Sequence, residues 1–585
     1  MIHALSRPLV SFLLSTFAAT VLLASARSQT LIVAPSGAQF SRIQDAVDAA
    51  MPGATILVRT GTYSEQLVFP RDGSVGRPIL LAAYPSEKPV LTGAAFSGGY
   101  MIALLNRSYV TIDGLTIQDL TNASTVADCG AIRIEGHGVG LTVRNNTIRR
   151  IRGKHGMAIT CYGTSVTRSL AELVIEGNVV HDCDPAPSEA IVLNGNVERF
   201  VVQRNDVSDV NNIGIDMIGG ETSINPAGLV ARFGVCRANY VARARHKDVG
   251  TPAAGIYVDG GRDIVIEANV VTECNIGIEV GAENRGVVAT RVVVRSNVSF
   301  GNDDSGLAFG GYDKTVGIVR ACDFYNNTLY ANDRRNAQLG EILIQNGDGN
   351  RIFHNVIVAN SSGLLLTDYQ SNTRNTIDEN VWFAPGGASR TKWNWDSKGV
   401  SSFAEFQRVS GQAVRGQFAD PLFVDASRGD FRLQLTSPAL DAAAASSKDL
   451  GLDVAGMPRL QDGKLRGALQ VDLGAHEFAH AQLAIGGELR SGKLLRARVS
   501  GTSGLPALLI LSAQSAPSLP IATPFGLMLF DPLMPRLDVF LGATPTDRQL
   551  QLPLITSPID VRAQVFVFSG VAGNASNLVP FRLLP

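Results

Sequence analysis

Charge is scarce in this chain, and it is scattered. Only 18% of the 585 residues are Asp, Glu, Lys or Arg, the formal net charge is −1, and no long basic run occurs. A nucleic-acid partner therefore has no electrostatic footprint to meet. Cysteine is also sparse, with six in the whole chain, too few for a disulfide scaffold of this length. Cys183 and Cys274 each stand five residues after a recurring asparagine, which puts them in one column of the repeat derived below. They are three coils apart, about 14 Å at one strand spacing per coil, whereas a disulfide needs Cα atoms within about 7 Å. Both read as small buried hydrophobes. Zinc-type His/Cys spacing is missing as well.

What is abundant is apolar residue and glycine, at 45% and 59 residues respectively. That balance suits a turn-rich β protein and excludes long disorder. The length exceeds what one core usually organises, so several domains or a repeat is expected. Arg7, the apolar stretch Leu9–Ala24 and the small residues Ala24–Ala26 read as a secretory signal over 1–28, cleaved near Arg27. The stretch is short for a bilayer span, so no membrane insertion is expected after cleavage, and the destination is secreted or extracytoplasmic.

A repeat runs through the middle. Strand-like segments such as "LVIEGNVV", "FVVQRNDV", "IVIEANVV" and "VVVRSNVS" each carry an asparagine at one place: Asn146, Asn178, Asn205, Asn239, Asn269, Asn297, Asn327, Asn355 and Asn380. The steps between them run from 25 to 34 residues. A second strand, usually opened by glycine, follows each one ("EAIVLNG", "GIDMIGG", "GIYVDGG", "GIEVGAE", "GEILIQN"). Strand, asparagine turn, strand and variable loop make one coil of a parallel β-helix. The asparagines then stack as a hydrogen-bonded ladder, and every edge is paired except at the ends.

The ends read as caps. Ser41 is the expected N-cap of a helix whose Ile43, Ala46, Val47 and Ala50 cover the first coil. The β-helix is expected over 29–478, and the prolines and charge-poor strands of 479–585 predict a small C-terminal β-sandwich. The opening "LIVAPSGAQFSRIQDAVDAAMPGATILVRTGTYSEQLVF" and the closing "SPALDAA…GMPR…VDLGAHEF" resemble those of right-handed parallel β-helix proteins related to polysaccharide lyases, the pectate-lyase-like superfamily. The resemblance implies that fold and a polysaccharide partner. It does not fix a reaction, because the superfamily holds lyases, hydrolases, epimerases and proteins of no known activity. The paired aspartates followed by His-Gly of polygalacturonases are absent, as is the "DPHD" of mannuronan epimerases; Asp303–Asp304 falls in a turn.

Alternation along the second strands places chemistry on the outer face. With Ile215 and Met217 inward, Asp216 points out. The same register turns Tyr257, Asp259, Glu279 and Glu283 outward, followed by Tyr312 and Glu341. Asp216 and Glu279 share a column two coils apart, about 9.6 Å between Cα atoms, with Asp259 roughly 8 Å from each. Asp216, Asp259 and Glu279 are therefore the candidate catalytic residues, either as a carboxylate pair or as ligands of Ca²⁺. Glycine pairs at Gly219–Gly220, Gly260–Gly261 and Gly310–Gly311 are expected to keep the surface low, leaving a groove. Nearby loops add Glu221, Arg237 and Lys247 to the substrate-binding set of Tyr257, Glu283, Tyr312 and Glu341. Lys247 or His246 is the base that lyase chemistry would need. Trp382, Trp393 and Trp395 offer either sugar stacking or packing of the last turn. The reading is a secreted carbohydrate-active hydrolase or lyase, with a non-catalytic glycan-binding or surface scaffold protein as the alternative.

Overall fold

A computed structural model of the chain describes residues 29–585, except 248–251, 314, 370–371, 445–450, 488–492, 503–504, 514–520, 524–525, 529–535, 552–558, 570–571, 578 and 584–585. The expected signal at 1–28 lies outside the described residues. The body is a right-handed parallel β-helix. Each coil contributes to three sheets rather than the two strands expected: the short strand just after each asparagine forms a sheet of its own. Two sheets hold 13 strands each, and the third, split into two segments on many coils, holds 19.

The asparagine ladder forms along its whole length. From Asn146 to Asn380, each main-chain N–H and each Nδ2 donates to the Oδ1 of the next asparagine, at 2.8–3.1 Å. The residue before each ladder asparagine is left-handed, with φ between 52° and 62°, yet Gly177 is the single glycine among the nine. Left-handed backbone costs roughly 1–2 kcal/mol at a residue with a Cβ, and the two ladder bonds per coil offset it at about 1 kcal/mol each. Between the turns, Ile215, Ile256 and Ile278 and their equivalents fill a continuous core. All six cysteines are free and buried in it, Cys183 and Cys274 as expected of small buried hydrophobes.

The first coil is covered by the helix Ile43–Ala49, but Ser41 does not cap it. The Glu65 carboxylate accepts the Ile43 and Gln44 N–H groups at 2.8 and 3.1 Å, so a charge from a neighbouring segment answers the helix N-terminus. The far end is closed by the helix Phe403–Ser410, capped by Ser402. Phe406 stacks on Trp393 with ring centroids 5.2 Å apart. Trp382 and Trp393 are fully buried there, so they pack the terminal turn and are closed to sugar.

The last parallel strand is Gln417–Phe418. The chain then folds back along the flank. Asn326 Nδ2 donates to Asp472 O at 3.0 Å, and Ala475 N to Thr328 Oγ1 at 2.9 Å. Beyond Ala481, an antiparallel three-stranded sheet and a sheet built around Pro506–Ala513 and Ile559–Ser569 enclose a second core, as the C-terminal sandwich predicts.

Candidate functional site

Four neighbouring strands of one 13-stranded sheet carry the site: Glu189–Gly195, Ile213–Ile218, Ala254–Asp259 and Ile276–Gly281. Their register stacks Val192, Asp216, Tyr257 and Glu279 in one outward column. Asp259 pairs with Gly281, two residues further along the strand. The column derived from alternation is therefore the observed one. Its acids are less open than outward residues usually are: Asp216 is 1% exposed and Asp259 5%.

Loops cause this burial. A Cβ on Gly219 would lie 2.3 Å from Val230, and one on Gly260 2.6 Å from Val287. These glycines thus admit loop valines that wall the face, which corrects the expectation of a low, open surface. Gly281 makes room of a different kind: a Cβ there would meet the Tyr257 hydroxyl at 2.5 Å. Tyr257 leans across it and donates to Glu283 Oε1 at 3.3 Å. The Glu283 N–H donates to Asp259 Oδ1 at 2.7 Å. On the opposite side, Asn194 Nδ2 donates to Glu221 Oε2 at 2.7 Å.

Sequence reasoning missed Glu189, which opens its strand one residue before the position that glycine holds in the next three strands and is paired with Ile213. It faces the acids: its charge is among those pushing up Asp216. Burial raises the Glu189 carboxyl to about 8, helped by Glu221 and Asp259. Burial likewise lifts Asp259 to about 7 and Glu279 to about 8, with Glu283 adding to both. Asp216 is held well above the usual carboxylate range by burial, then by Glu189 and Asp259. Among the described residues, no Lys, Arg or His pairs with any of these acids; the nearby cations are engaged elsewhere, Arg245 with Asp303 and Arg232 with Glu198. Two buried acceptors, Asp216 Oδ1 and Asn194 Oδ1, have no hydrogen-bond partner.

The rest of the expected set does not gather here. Arg237 donates to Gln203 on another sheet. Lys247 reaches out to Asp184 at 3.1 Å, so it does not face the acids as a base. Tyr312 stands 67% exposed past the end of its strand. Glu341 is wrongly expected outside: it is fully buried and accepts from Asn332 N and Nδ2 at 2.8 and 2.6 Å. It precedes the strand Ile342–Ile344, at a corner where alternation does not hold. Among the described residues, no group of three or more His, Cys, Asp or Glu side chains is arranged to hold a metal ion.

The molecule is thus a right-handed parallel β-helix protein with a column of acids on the outer face of one sheet. It belongs to the same family as YwoF, an uncharacterized protein of Bacillus subtilis strain 168, with 32% identity over 434 residues, 70% of this chain and 92% of that one. Residues 228–395 also match the family model described as periplasmic copper-binding protein NosD. Cys236, Cys274 and Cys322 in that segment are all buried in the core. Among solved structures, the chain is similar to the alginate lyase of Paenibacillus sp. strain FPU-7 (14% identity, 60% of this chain and 97% of that one, TM-score 0.33). It is also similar to the family 28 exopolygalacturonase of Yersinia enterocolitica (13%, 67% and 78%, TM-score 0.37). At such values, fold and site stand on this chain's own strands and side chains.

Proposed function

We propose that this is an exported carbohydrate-active enzyme that hydrolyses a glycosidic bond of an extracytoplasmic polysaccharide, with Asp216 as proton donor and Asp259 as the base. The observation that carries this is the contrast between these two carboxyls. Asp259 accepts a main-chain N–H, which favours its ionised form. Asp216 has an oxygen with no donor and a pKa far above the usual range, so it keeps its proton. Two nearby carboxyls whose environments differ in this way divide the acid and base roles. Asp259 takes a proton from water, the hydroxyl adds to the anomeric carbon, and the departing oxygen receives the Asp216 proton. Glu279 and Tyr257 line the same column and hold sugar hydroxyls.

Lyase chemistry is less well supported. It needs a base and a cation facing the uronate carboxylate, and Lys247 and Arg245 are turned to Asp184 and Asp303. Incubation with a panel of polysaccharides tests the reading. New reducing ends without ultraviolet absorbance of an unsaturated product are expected. Both signals together mean a lyase, and neither signal returns the protein to the glycan-binding scaffold alternative.

A further inference from the structure

We infer that the groove takes a glycan bearing free ammonium groups, a deacetylated amino-sugar polymer, and turns polyuronates away. This rests on the reading of the groove as the glycan site. Six carboxylates border it: Glu189, Asp216, Glu221, Asp259, Glu279 and Glu283. Acids alone would not define a ligand, but the two unpartnered acceptors add a demand. Asp216 Oδ1 and Asn194 Oδ1 sit on residues 1% and 2% exposed, and each lacks a donor. An ammonium group is three donors and no acceptor, which matches a site that offers acceptors.

The surroundings discriminate in the same direction. Arg243, Arg245 and Lys247 are held outside the groove by Asp209, Asp303 and Asp184, and Arg232 by Glu198. A polyuronate would bring a carboxylate with each sugar to a cluster of acids that, among the described residues, has no facing cation, and each acid that ionises repels it. An ammonium does the reverse, making the ionised carboxylates cheaper. Protons that the raised carboxyls hold in the empty groove then leave when it binds.

Titration calorimetry on the purified protein, in EDTA and near neutral pH, tests this with three tetramers: glucosamine, N-acetylglucosamine and galacturonate. The glucosamine tetramer is expected to bind most tightly, with a heat that changes between buffers of different ionisation enthalpy and so reports proton release. Asp216→Asn and Glu189→Gln should each weaken it about tenfold or more, the scale of a lost hydrogen bond to a charged group. Asp209→Asn, on another sheet, should leave it unchanged. Circular dichroism melts establish that each variant is folded. The inference falls if the glucosamine tetramer does not bind, if galacturonate binds as tightly, or if neither groove substitution matters in a folded variant. Cleavage of a neutral glycan without amino-sugar affinity would sink this inference and spare the hydrolytic reading; tight amino-sugar binding with no bond cleaved would do the opposite.

Discussion

Glu341 accepts both the main-chain and the side-chain N–H of Asn332, at 2.8 and 2.6 Å, and so ends a second, shorter ladder that begins where Asn302 donates to Asn332. Burial raises its carboxyl to about 8. Glu341→Ala leaves two buried donors without partners, and a loss of about 2–5 kcal/mol is expected. Urea unfolding should show it, while the Michaelis constant of the folded variant on any cleaved substrate stays the same. A changed Michaelis constant at unchanged stability would return Glu341 to the substrate groove.

The same pair of acids gives the sharpest kinetic expectation for the proposed hydrolysis. Asp259→Asn and Asp216→Asn should each lower kcat by about 10²–10⁴, the usual worth of a general base or acid. Melting temperatures should hold or rise, since each change removes a buried acid. Asp216 and Asp259 stand on neighbouring strands, two residues out of register, about 8 Å apart between Cα atoms. That spacing leaves room for a water between them, and inversion at the anomeric carbon is expected. NMR of the first-formed product reads it directly; retention would require a different pair.

Stability should fall as pH rises. Glu189, Asp259 and Glu279 titrate at about 8, 7 and 8 in the fold, against about 4 in an unfolded chain. Between these values the native state holds protons that the unfolded state has lost, so their contribution is complete below about pH 4 and gone above about pH 8. Melting curves from pH 4 to 9 measure the slope. It should flatten in an Asp259→Asn, Glu279→Gln double variant, and an unflattened slope would place the titrating groups elsewhere. The same Asp259 ionisation predicts a rising limb of kcat/KM near pH 7.

We propose that the sandwich after residue 478 is dispensable for catalysis. It touches the fold-back segment where Gln461 exchanges hydrogen bonds of 2.8 and 3.0 Å with Ala575. Truncation after Phe478 strands that buried amide, so a loss of about 1–3 kcal/mol is expected, with activity per folded molecule intact. Loss of turnover in a truncated protein that retains its β-sheet spectrum would contradict this.

The ladder and the Asp216–Tyr257–Glu279 column were legible because a period-two strand repeated nine times leaves no freedom in register. What escaped sits at corners and in loops. Glu189 and Glu341 both occupy the residue before or at a strand start, yet one faces the groove and the other the core. The backbone bends there, so alternation carries no information. Glu221 was found as a loop acid, but its bond to Asn194 depends on a turn that no periodicity encodes. Arg237 and Lys247 lay close in sequence and far in space, because each coil passes through three sheets before returning.

The asparagine ladder also makes the coil a unit of inheritance. Every rung presents the same donors upward and the same acceptor downward, so a segment of one full period can be duplicated or deleted and the cut ends will still match. The groove is not interchangeable in this way, since its acids come from the consecutive strands that open at Glu189, Ile213, Ala254 and Ile276. Length variation among relatives is therefore expected to fall outside those four strands, as whole coils gained or lost on either side of them.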